Sequence, residues 1–310
     1  MRKFLKFVLI LVIVYIAISL VVAFPFSNML LQPHRSAKSL LDADAEQLRK
    51  KWIAENNLKV DVLDIVSDAG PKLIKLSGWW VSKDSFTNKP TVIFLAGNGG
   101  MNPAKLEDKV MFLAASGFNC FLLDQRGYGA SKGELLTHGW YEREDFTFVE
   151  NRLKNRYGID KNRIALWGIS MGASNAVMIA SVHPEIKALL LYAPWSNPLP
   201  MAVHYIGLTF SAPKFLMYFP IWTALKIGSW RINGDLLDPA EEAEKIHCPV
   251  LVVHGDIDEI VPPELTDRLF KSLAGPKQLV VVRGAHHNDL LDIIGREKYL
   301  EQMKRAYSNL

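Results

Sequence analysis

The 310-residue chain has only two cysteines, Cys120 and Cys248, and little net charge. Two thiols cannot supply a disulfide framework or four cysteine ligands for a zinc ion. Each lies in or beside an apolar run, as small buried hydrophobic residues usually do. Lysines and arginines number 36 and aspartates and glutamates 32. The resulting net charge of +4 is too small to indicate nucleic-acid binding, although it suits an anionic membrane surface.

The sequence also lacks internal repeats and low-complexity tracts, and 49% of its residues are apolar while 22% are charged. This composition is globular and excludes a disordered, collagen-like or coiled-coil protein. The length allows one large α/β domain or two small ones, with enough residues for a sizeable core.

Eighteen consecutive residues near the N-terminus, Phe7–Phe24, carry no charge, and Ser19 is the only polar residue among them. At about 1.5 Å per residue, a helix of this length spans roughly 27 Å, close to the hydrocarbon thickness of a bilayer. A cleaved signal peptide has a shorter apolar core and small residues at its cleavage site. This run ends in Val22–Phe26 without an Ala-x-Ala pattern. Residues 1–30 are therefore predicted to be a retained signal anchor rather than a cleaved signal peptide or a buried core helix.

The charges beside this run predict its orientation. Arg2, Lys3 and Lys6 precede it, which favours a cytosolic N-terminus with the folded domain on the extracytoplasmic side. Arg35 and Lys38 on the far side reduce this asymmetry. We expect the run to contribute membrane attachment only, so a chain that begins near position 36 is predicted to be soluble and folded.

Residues 31–57 are predicted to be a polar connector, followed by a folded domain over residues 58–310. Apolar and polar residues roughly alternate in Leu58–Val66 and in Leu73–Val81, and Asp68–Pro71 supplies a turn between them. This pattern predicts an antiparallel hairpin.

Six continuous apolar runs follow the hairpin. They are Thr91–Ala96, Cys120–Leu123, Ile164–Trp167, Ala188–Tyr192, Val250–Val253 and Leu279–Val282. Runs of this length, bounded by Gly, Pro or Asp, suit strands that are buried on both faces. Segments long enough for helices lie between them, such as Asn102–Ala115 and Glu142–Tyr157. The alternation predicts a mostly parallel sheet with helices on both faces.

Acidic residues are missing from Trp195–Ile232, an interval with many aromatic residues and a few basic ones. It is too long for a simple connection between two strands, and we interpret it as part of a helical insertion at about 195–245 over the carboxyl end of the sheet. The candidates for lining an acyl pocket or meeting a membrane interface are Trp195, Phe215, Phe219 and Trp222. Extra core packing without a role in binding is the alternative interpretation.

A possible nucleophile follows one of the buried runs directly. The sequence Gly-Ile-Ser-Met-Gly at 168–172 has the pattern Gly-x-Ser-x-Gly, and small residues come after it. A sharp turn from strand to helix strains the backbone at the central serine, and glycines at the flanks leave room for it. The helix that begins there directs its free N–H groups toward developing negative charge. Ser170 is thus a candidate nucleophile.

A serine hydroxyl is a poor nucleophile near neutral pH and needs an imidazole base oriented by a carboxylate. His286 and His287 follow the last apolar run, while Asp256 and Asp258 follow the run before it. The chain therefore has the order Ser…Asp…His, which is the order that this strand–nucleophile–helix architecture requires.

With these motifs the chain resembles the α/β-hydrolase superfamily over about residues 58–305, in particular its membrane-anchored, esterase-like branch. Residues 254–262, His-Gly-Asp-Ile-Asp-Glu-Ile-Val-Pro, are similar to the family's His-Gly-x-x-Asp-x-x-Val-Pro. The resemblance implies that Asp258 is the acid, with Asp256 as the alternative. It also implies an α/β-hydrolase fold in which a helical lid precedes the acid-bearing strand.

Residues 284–289, Gly-Ala-His-His-Asn-Asp, resemble the family's Gly-x-x-His-Asn-Asp, which implies that His287 is the base. His286 stands where a small residue is usual in the family, so it remains the alternative. Residues 124–133 resemble the family's Asp-x-Arg-Gly-x-Gly-x-Ser-x-Gly loop, which is usually structural, and we assign them no catalytic role.

An oxyanion hole needs two backbone donors. Met171 is expected to supply one because it follows the nucleophile. The second is expected from Gly97–Gly100, which is similar to the family's His-Gly-Asn-x-Gly except that Ala96 replaces the histidine. The glycines can still expose the amide of Asn98.

The sequence therefore predicts a single-pass, membrane-anchored serine hydrolase with Ser170, His287 and Asp258 as its triad. It implies no metal and no organic cofactor, and its partner is a small-molecule or lipid-like ester rather than nucleic acid. An ester or thioester is favoured over a peptide bond because no propeller or other gating domain is evident. A serine peptidase or amidase, and a catalytically silent binding module tethered to the membrane, are the alternatives.

Overall fold

The computed structural model describes residues 1–33, 42–83, 89–308 and 310, so Arg35, Ser36 and Lys38 lie outside the described residues. The strands are β1 (Lys59–Ser67), β2 (Ile74–Ser82), β3 (Thr91–Leu95), β4 (Asn119–Asp124), β5 (Ile164–Ile169), β6 (Ile186–Tyr192), β7 (Val250–Gly255) and β8 (Lys277–Val282). The helices are α1 (Arg2–Leu31), α2 (Ala43–Asn56), α3 (Pro103–Ala115), α4 (Glu142–Tyr157), α5 (Met171–Ala180), α6 (Pro198–Phe210), α7 (Lys214–Ile232), α8 (Pro239–Ala243), α9 (Pro263–Ser272), α10 (Leu290–Ile294) and α11 (Arg296–Ala306).

One sheet orders these strands as β1-β2-β4-β3-β5-β6-β7-β8. The β1–β2 pair is antiparallel, as predicted, and β2 is also antiparallel to β4. All later pairs are parallel. The prediction that every apolar run is buried on both faces is wrong for β8, whose residues are partly exposed. As the edge strand, β8 has a neighbour on one side only.

Two apolar layers cover the two faces of the sheet. Ala165 and Trp167 of β5 belong to one layer, while Ile164 and Leu166 belong to the other, because successive side chains of a strand point to opposite faces. Helices α2, α3 and α11 pack on the first face, and α4, α5 and α9 on the second. The predicted parallel sheet with helices on both faces is confirmed.

Part of the predicted connector packs onto the domain. Residues 43–56 form α2, and the fully buried Trp52 meets Trp79 of β2 edge to face, with ring centroids 5.8 Å apart. The indole N–H of Trp52 donates to Glu107 on α3. This segment therefore contributes to the core although its composition is polar.

Helix α1 is long and apolar enough to cross a membrane, and most of its apolar run is exposed. It continues past that run, however, and Ser27 and Leu31 are fully buried. The backbone N–H of Leu136 donates to the carbonyl of Leu31 (2.7 Å), and Nε2 of His138 lies 2.8 Å from the carbonyl of Leu30. The expectation that the N-terminal helix provides attachment only is therefore wrong, because its last turns are packed into the folded domain.

The predicted helical insertion is confirmed between β6 and β7, where α6, α7 and α8 follow one another. Helix α7 packs along α1: the hydroxyl of Tyr15 donates to the carbonyl of Leu216, and Gly228 lies against Leu31. At its C-terminal end, the Ile232 carbonyl accepts a hydrogen bond from the Tyr141 hydroxyl (2.6 Å). The insertion thus bridges the N-terminal helix and the domain.

Leu31→Ala should destabilise the whole domain if the end of α1 belongs to its core. A buried leucine reduced to alanine typically costs about 2–5 kcal/mol, and we expect a loss in that range in thermal unfolding of the full chain in detergent. Leu20→Ala on the same helix is the matched control, because Leu20 is 54% exposed. Equal, negligible effects of both substitutions would show that α1 is only an attachment.

Candidate active site

Ser170 occupies a sharp turn between the end of β5 and the start of α5. Its φ of 54° and ψ of −124° lie in a region that residues other than glycine rarely adopt. Its backbone N–H donates to the Tyr192 carbonyl at the end of β6 (2.7 Å), which ties the turn to the sheet. The turn raises the side chain above the carboxyl ends of the parallel strands, where polar loops converge.

The glycines on either side of this turn are required by close backbone approach. A Cβ on Gly172 would lie 2.1 Å from the Leu95 carbonyl oxygen, and a Cβ on Gly168 would lie 2.6 Å from the Cα of Ala173. Any other residue at either position would force α5 away from the sheet. The two glycines of the Gly-x-Ser-x-Gly pattern are thus needed because a side chain at either position would collide with neighbouring backbone atoms.

His287 lies between Ser170 and Asp258. Its Nε2 is 3.1 Å from the Ser170 Oγ, and its Nδ1 is 2.7 Å from Oδ2 of Asp258. A carboxylate only accepts hydrogen bonds, so Nδ1 carries the proton and Nε2 is free to accept one from the serine hydroxyl. The three predicted residues lie far apart in the sequence, but in the structure they form a chain of hydrogen bonds from Asp258 through His287 to Ser170.

The alternative residues have other partners. Nδ1 of His286 lies 2.9 Å from Oε2 of Glu259, and the His286 side chain is half exposed. Asp256 accepts a hydrogen bond from the backbone N–H of Gly284 (2.7 Å) and supports the loop that carries the histidines. Neither alternative is in contact with Ser170.

Asp258 is fully buried but well supplied with donors. Its Oδ1 accepts from the backbone N–H groups of Ile260 (2.9 Å) and Val261 (2.8 Å). Its Oδ2 lies 3.3 Å from Nε2 of His254 in addition to His287. Burial raises the pKa of this carboxyl, but the hydrogen bonds from His254, His287 and Val261 outweigh burial and hold the pKa well below its usual range.

Sequence reasoning did not assign His254 a role. Its Nδ1 lies 2.5 Å from Oγ1 of Thr266, and both His254 and Thr266 are buried. His254 is thus a positioning residue for Asp258. Its place in the His-Gly-x-x-Asp motif was the available signal.

The predicted oxyanion donors lie beside the nucleophile. Met171 begins α5, so its N–H has no acceptor within the helix. A Cβ on Gly97 would be 3.1 Å from the Cβ of Ser170, and the next residue, Asn98, lines the same cavity as Ser170. The Oδ1 of Asn98 accepts a hydrogen bond from the Tyr128 hydroxyl.

The loop at 124–133 supports this arrangement. The Gln125 side chain donates to the Ala96 carbonyl (2.7 Å) and accepts from the Asn175 side chain (2.8 Å). The loop before Asn98 is thereby fixed to α5, and Tyr128 holds the side chain of Asn98 itself. The structural role expected for residues 124–133 includes positioning the loop that carries Asn98.

Two cavities meet at Ser170. The first is narrow, about 110 Å³, and mostly apolar. Its walls include Met29 and Leu30 from α1, Ala202 and Tyr205 from α6, Leu225 from α7, and Trp195. The second is wider, about 650 Å³, and includes His287, Lys105, Asp108, Lys109 and Asp292. Burial lowers the pKa of Lys109 to about 8.

Of the predicted pocket residues, Trp195 lines the narrow cavity, but Phe215, Phe219 and Trp222 do not. Positions 215, 219 and 222 form one stripe of α7 at helical spacing, and this stripe faces α1 and the exterior. The Phe219 ring lies 6.2 Å from that of Tyr15, while Phe215 is 74% exposed. Of the two roles predicted for these three side chains, lining the pocket is wrong, because the opposite face of α7 is turned toward the domain. Their place at a membrane interface stays a prediction.

Among the described residues, one group could offer ligand atoms to a metal ion: Glu150, His183 and Glu185, with these atoms within 4.8 Å of one another. In the structure Nδ1 of His183 contacts Glu185 (2.9 Å) and its Nε2 contacts the Arg143 carbonyl (3.0 Å). None of the three lines either cavity at Ser170.

Comparison with known proteins places the chain in a family. A family model described as serine aminopeptidase, S33, matches residues 88–238. Over 222 residues the chain is 33% identical to the uncharacterised protein Rv2307c of Mycobacterium tuberculosis, with 71% of each chain covered. It is 28% identical over 190 residues to the human alpha/beta hydrolase domain-containing protein 17B, with 61% of this chain and 56% of that protein covered. The chain belongs to the α/β-hydrolase superfamily.

The fold of this α/β-hydrolase is shared with solved structures. The esterase Pf2001 of Pyrococcus furiosus superposes with a TM-score of 0.65 at 22% identity, covering 83% of this chain and 93% of that chain. At this level of identity the likeness establishes the fold alone. The superfamily and the fold predicted from the sequence are confirmed, and the family is one of serine hydrolases.

Gly172→Ala should destabilise this α/β-hydrolase, because the added methyl group would collide with the Leu95 carbonyl. Overpacking of this kind typically costs about 1–3 kcal/mol or more, which thermal unfolding would detect. Gly99→Ala is the matched control: its Cβ would meet no atom within 4 Å, and we expect a change within about 0.5 kcal/mol. Similar unfolding curves for both variants would contradict the steric argument.

Proposed function

We propose that this protein is a membrane-anchored serine hydrolase that cleaves a carboxylic ester or thioester through an acyl-enzyme intermediate. The observation that carries the proposal is the continuous hydrogen-bonded sequence Asp258–His287–Ser170. It joins a buried carboxylate to a serine hydroxyl in a strained turn, through an imidazole whose Nε2 can accept a proton.

In the first half of the reaction, Oγ of Ser170 attacks the acyl carbon while its proton moves to Nε2 of His287. The carbonyl oxygen becomes an oxyanion, and Asp258 stabilises the imidazolium. When the tetrahedral intermediate collapses, the bond to the alcohol or thiol breaks and His287 returns the proton to that leaving group. In the second half, water attacks the acyl-serine by the same sequence of proton transfers and releases the acid.

The oxyanion is bound by the backbone N–H groups of Met171 and Asn98. Met171 adds the favourable field of the N-terminus of α5, and the hydrogen bonds of Gln125 and Tyr128 hold the Asn98 loop rigid. Loss of one such donor typically costs about 10²–10³ in kcat. Rigid support is needed because the donors must already be oriented when the negative charge develops.

The two cavities at Ser170 suit the two parts of an ester. The narrow apolar cavity accommodates the acyl group, since apolar walls favour hydrocarbon over water. The wider cavity, with its charged side chains and His287, accommodates the leaving group, which must receive a proton from the imidazole. The difference in polarity across Ser170 favours an ester of an apolar acyl group and a polar alcohol or thiol.

The anchor and its orientation are part of this proposal. We assign α1 as a retained single span with a cytosolic N-terminus, because basic residues precede its exposed apolar run. The domain then lies on the extracytoplasmic side. Protease added to sealed vesicles of known orientation would test this, because an extracytoplasmic domain is cleaved in sealed right-side-out vesicles and a cytosolic one is not.

A serine peptidase is the second candidate, favoured by the description of the matching family model. A series of p-nitrophenyl esters of increasing chain length, with and without detergent, tests the esterase, and aminoacyl anilides test the peptidase. Labelling of Ser170 by a fluorophosphonate probe separates both from a catalytically silent binding module. Turnover of anilides but not esters would overturn the ester proposal.

Ser170→Ala, His287→Ala and Asp258→Asn should each lower kcat for a short ester by at least about 10³-fold. The double variant Ser170→Ala/His287→Ala should be little worse than Ser170→Ala, because residues that act as one unit are not additive. His286→Ala is the matched control and should keep nearly full activity. Loss of activity in His286→Ala with retention in His287→Ala would reverse the assignment of the base.

A further inference from the structure

Helices α1 and α7 lie side by side and run in the same direction. The Tyr15 ring meets Phe219, and the Ser27 hydroxyl meets the Arg231 guanidinium (3.3 Å). Both pairs are separated by 204 positions, since 219 − 15 and 231 − 27 are equal. The two helices therefore run parallel along these 12 residues of α1, about 18 Å at 1.5 Å per residue, and Gly228 meets Leu31 further along α1 at a separation of 197.

The Tyr15–Phe219 contact fixes how deep the first half of α7 lies if α1 spans a bilayer. Tyr15 is nine residues before Phe24, where the apolar run ends, a distance of about 13.5 Å along the helix. Half of a hydrocarbon core of about 30 Å is about 15 Å. Phe219, beside Tyr15, would thus lie near the centre of the bilayer, and the first half of α7 would be immersed in hydrocarbon.

The outer surface of α7 suits that location. Phe215, Tyr218 and Trp222 are about half to three-quarters exposed, and neither α6 nor α7 contains an acidic residue. Lys214, at the start of α7, has a flexible stem that can carry its ammonium group toward the interface marked by the basic residues before α1. These apolar side chains continue the exposed surface of α1 as far as Lys226, an exposed residue one turn after Trp222. Its long stem can carry the ammonium group to the head groups near the end of the apolar run of α1.

The narrow cavity at Ser170 is built by the same helices. Met29 and Leu30 of α1, Tyr205 of α6 and Leu225 of α7 form its walls. Met29 is five residues beyond Phe24, so the α1 wall lies about 7.5 Å outside the hydrocarbon boundary. That is the level of the head groups, where the acyl carbonyl of a membrane lipid is found.

We propose that this cavity takes an acyl chain directly from the bilayer, between α1 and the α6–α7 pair, and that the end of α1 is a wall of the acyl site. The proposal rests on the proposed hydrolase function and specifies its substrate. The substrate is a long-chain acyl ester or thioester whose chain lies in the leaflet next to the domain, with its carbonyl at the interface. A sideways route keeps the methylenes out of water, where each one is disfavoured.

The first test uses the full chain in phosphatidylcholine vesicles that contain a long-chain fluorogenic ester. Met29→Trp enlarges a side chain in the α1 wall and so narrows the cavity. The ratio of kcat/KM for the vesicle ester to kcat/KM for p-nitrophenyl acetate should fall at least tenfold. Val21→Trp is the matched control on the same helix, because Val21 is 74% exposed and outside the cavity. Its ratio should stay within twofold of the wild-type ratio.

A second arm presents an S-acylated peptide in the same vesicles. The substrate with the higher kcat/KM, the lipid ester or the S-acyl peptide, identifies the source of the acyl chain. Either result supports the proposal if Met29→Trp lowers kcat/KM for that substrate relative to p-nitrophenyl acetate. Equal ratios for Met29→Trp and Val21→Trp would overturn the inference while leaving the hydrolase intact. If the wild type neither hydrolyses acetate nor reacts with a fluorophosphonate, the proposed function itself fails.

The depth of α7 can be measured independently of activity. Nitroxide labels at Trp222→Cys, Trp230→Cys and Val62→Cys, in a Cys248→Ser background, report collisions with oxygen and with a water-soluble nickel chelate. The Trp222 ring lies 6.2 Å from that of Phe219, so it is expected inside the hydrocarbon as well. We expect the label at 222 to be protected from nickel and accessible to oxygen, the label at 230 to be intermediate, and the label at 62, on β1, to show the reverse. Equal nickel accessibility at 222 and 62 would overturn the sideways route.

Discussion

The backbone of Ser170 is the constraint on which the rest of the site depends. A backbone conformation with positive φ costs about 1–3 kcal/mol for a residue other than glycine, and it persists only where the surrounding structure enforces it. Here β5 is paired on both sides, α5 is buried along its whole length, and the Ser170 N–H is bonded to β6. Gly168 and Gly172 allow α5 to approach the sheet closely enough for this to happen. The fold thus holds one side chain clear of its own backbone, at the edge where the loops after β3, β7 and β8 can reach it.

A second constraint is the burial of Asp258. A buried carboxylate without partners is costly, and this one lies in a loop rather than in a strand or helix. Two backbone N–H groups and two imidazoles compensate it, so it remains ionised and holds His287 in one tautomer. His254 belongs to this arrangement although it does not touch Ser170. Asp258, His287 and Ser170, the proposed acid, base and nucleophile, are therefore connected through groups that are held at the carboxyl ends of the strands.

The N-terminal helix has two consequences that share one physical cause. Its apolar side chains favour a non-aqueous environment, which suits a bilayer along most of its length. At its end the same avoidance of water buries Leu31 in the domain and places Met29 in the cavity wall. Helix α7 extends this surface, because it packs along α1 and exposes aromatic residues. In the proposed enzyme, membrane attachment, stability and acyl binding are consequently coupled, which would not follow if the helix were joined to the domain by a loose tether alone.

Local patterns in the sequence were sufficient for the positions of the strands and for the Gly-x-Ser-x-Gly turn, because buried runs and tight turns depend on near neighbours. The choice of His287 over His286 came instead from the resemblance to the α/β-hydrolase superfamily, and its catalytic role stays a prediction. The orientation of α7 was not predictable in this way. Its apolar residues lie all round the helix, so no stripe marks the face toward the domain, and only packing against α1 and α6 turned Phe219 outward and Leu225 inward. The position of Met29 in the cavity wall depends on contacts with segments more than a hundred positions away. The support that His254 gives Asp258 depends on side-chain contacts that the order of residues in the chain does not reveal. Composition determined that these residues are apolar or polar; the tertiary structure decided what each of them faces.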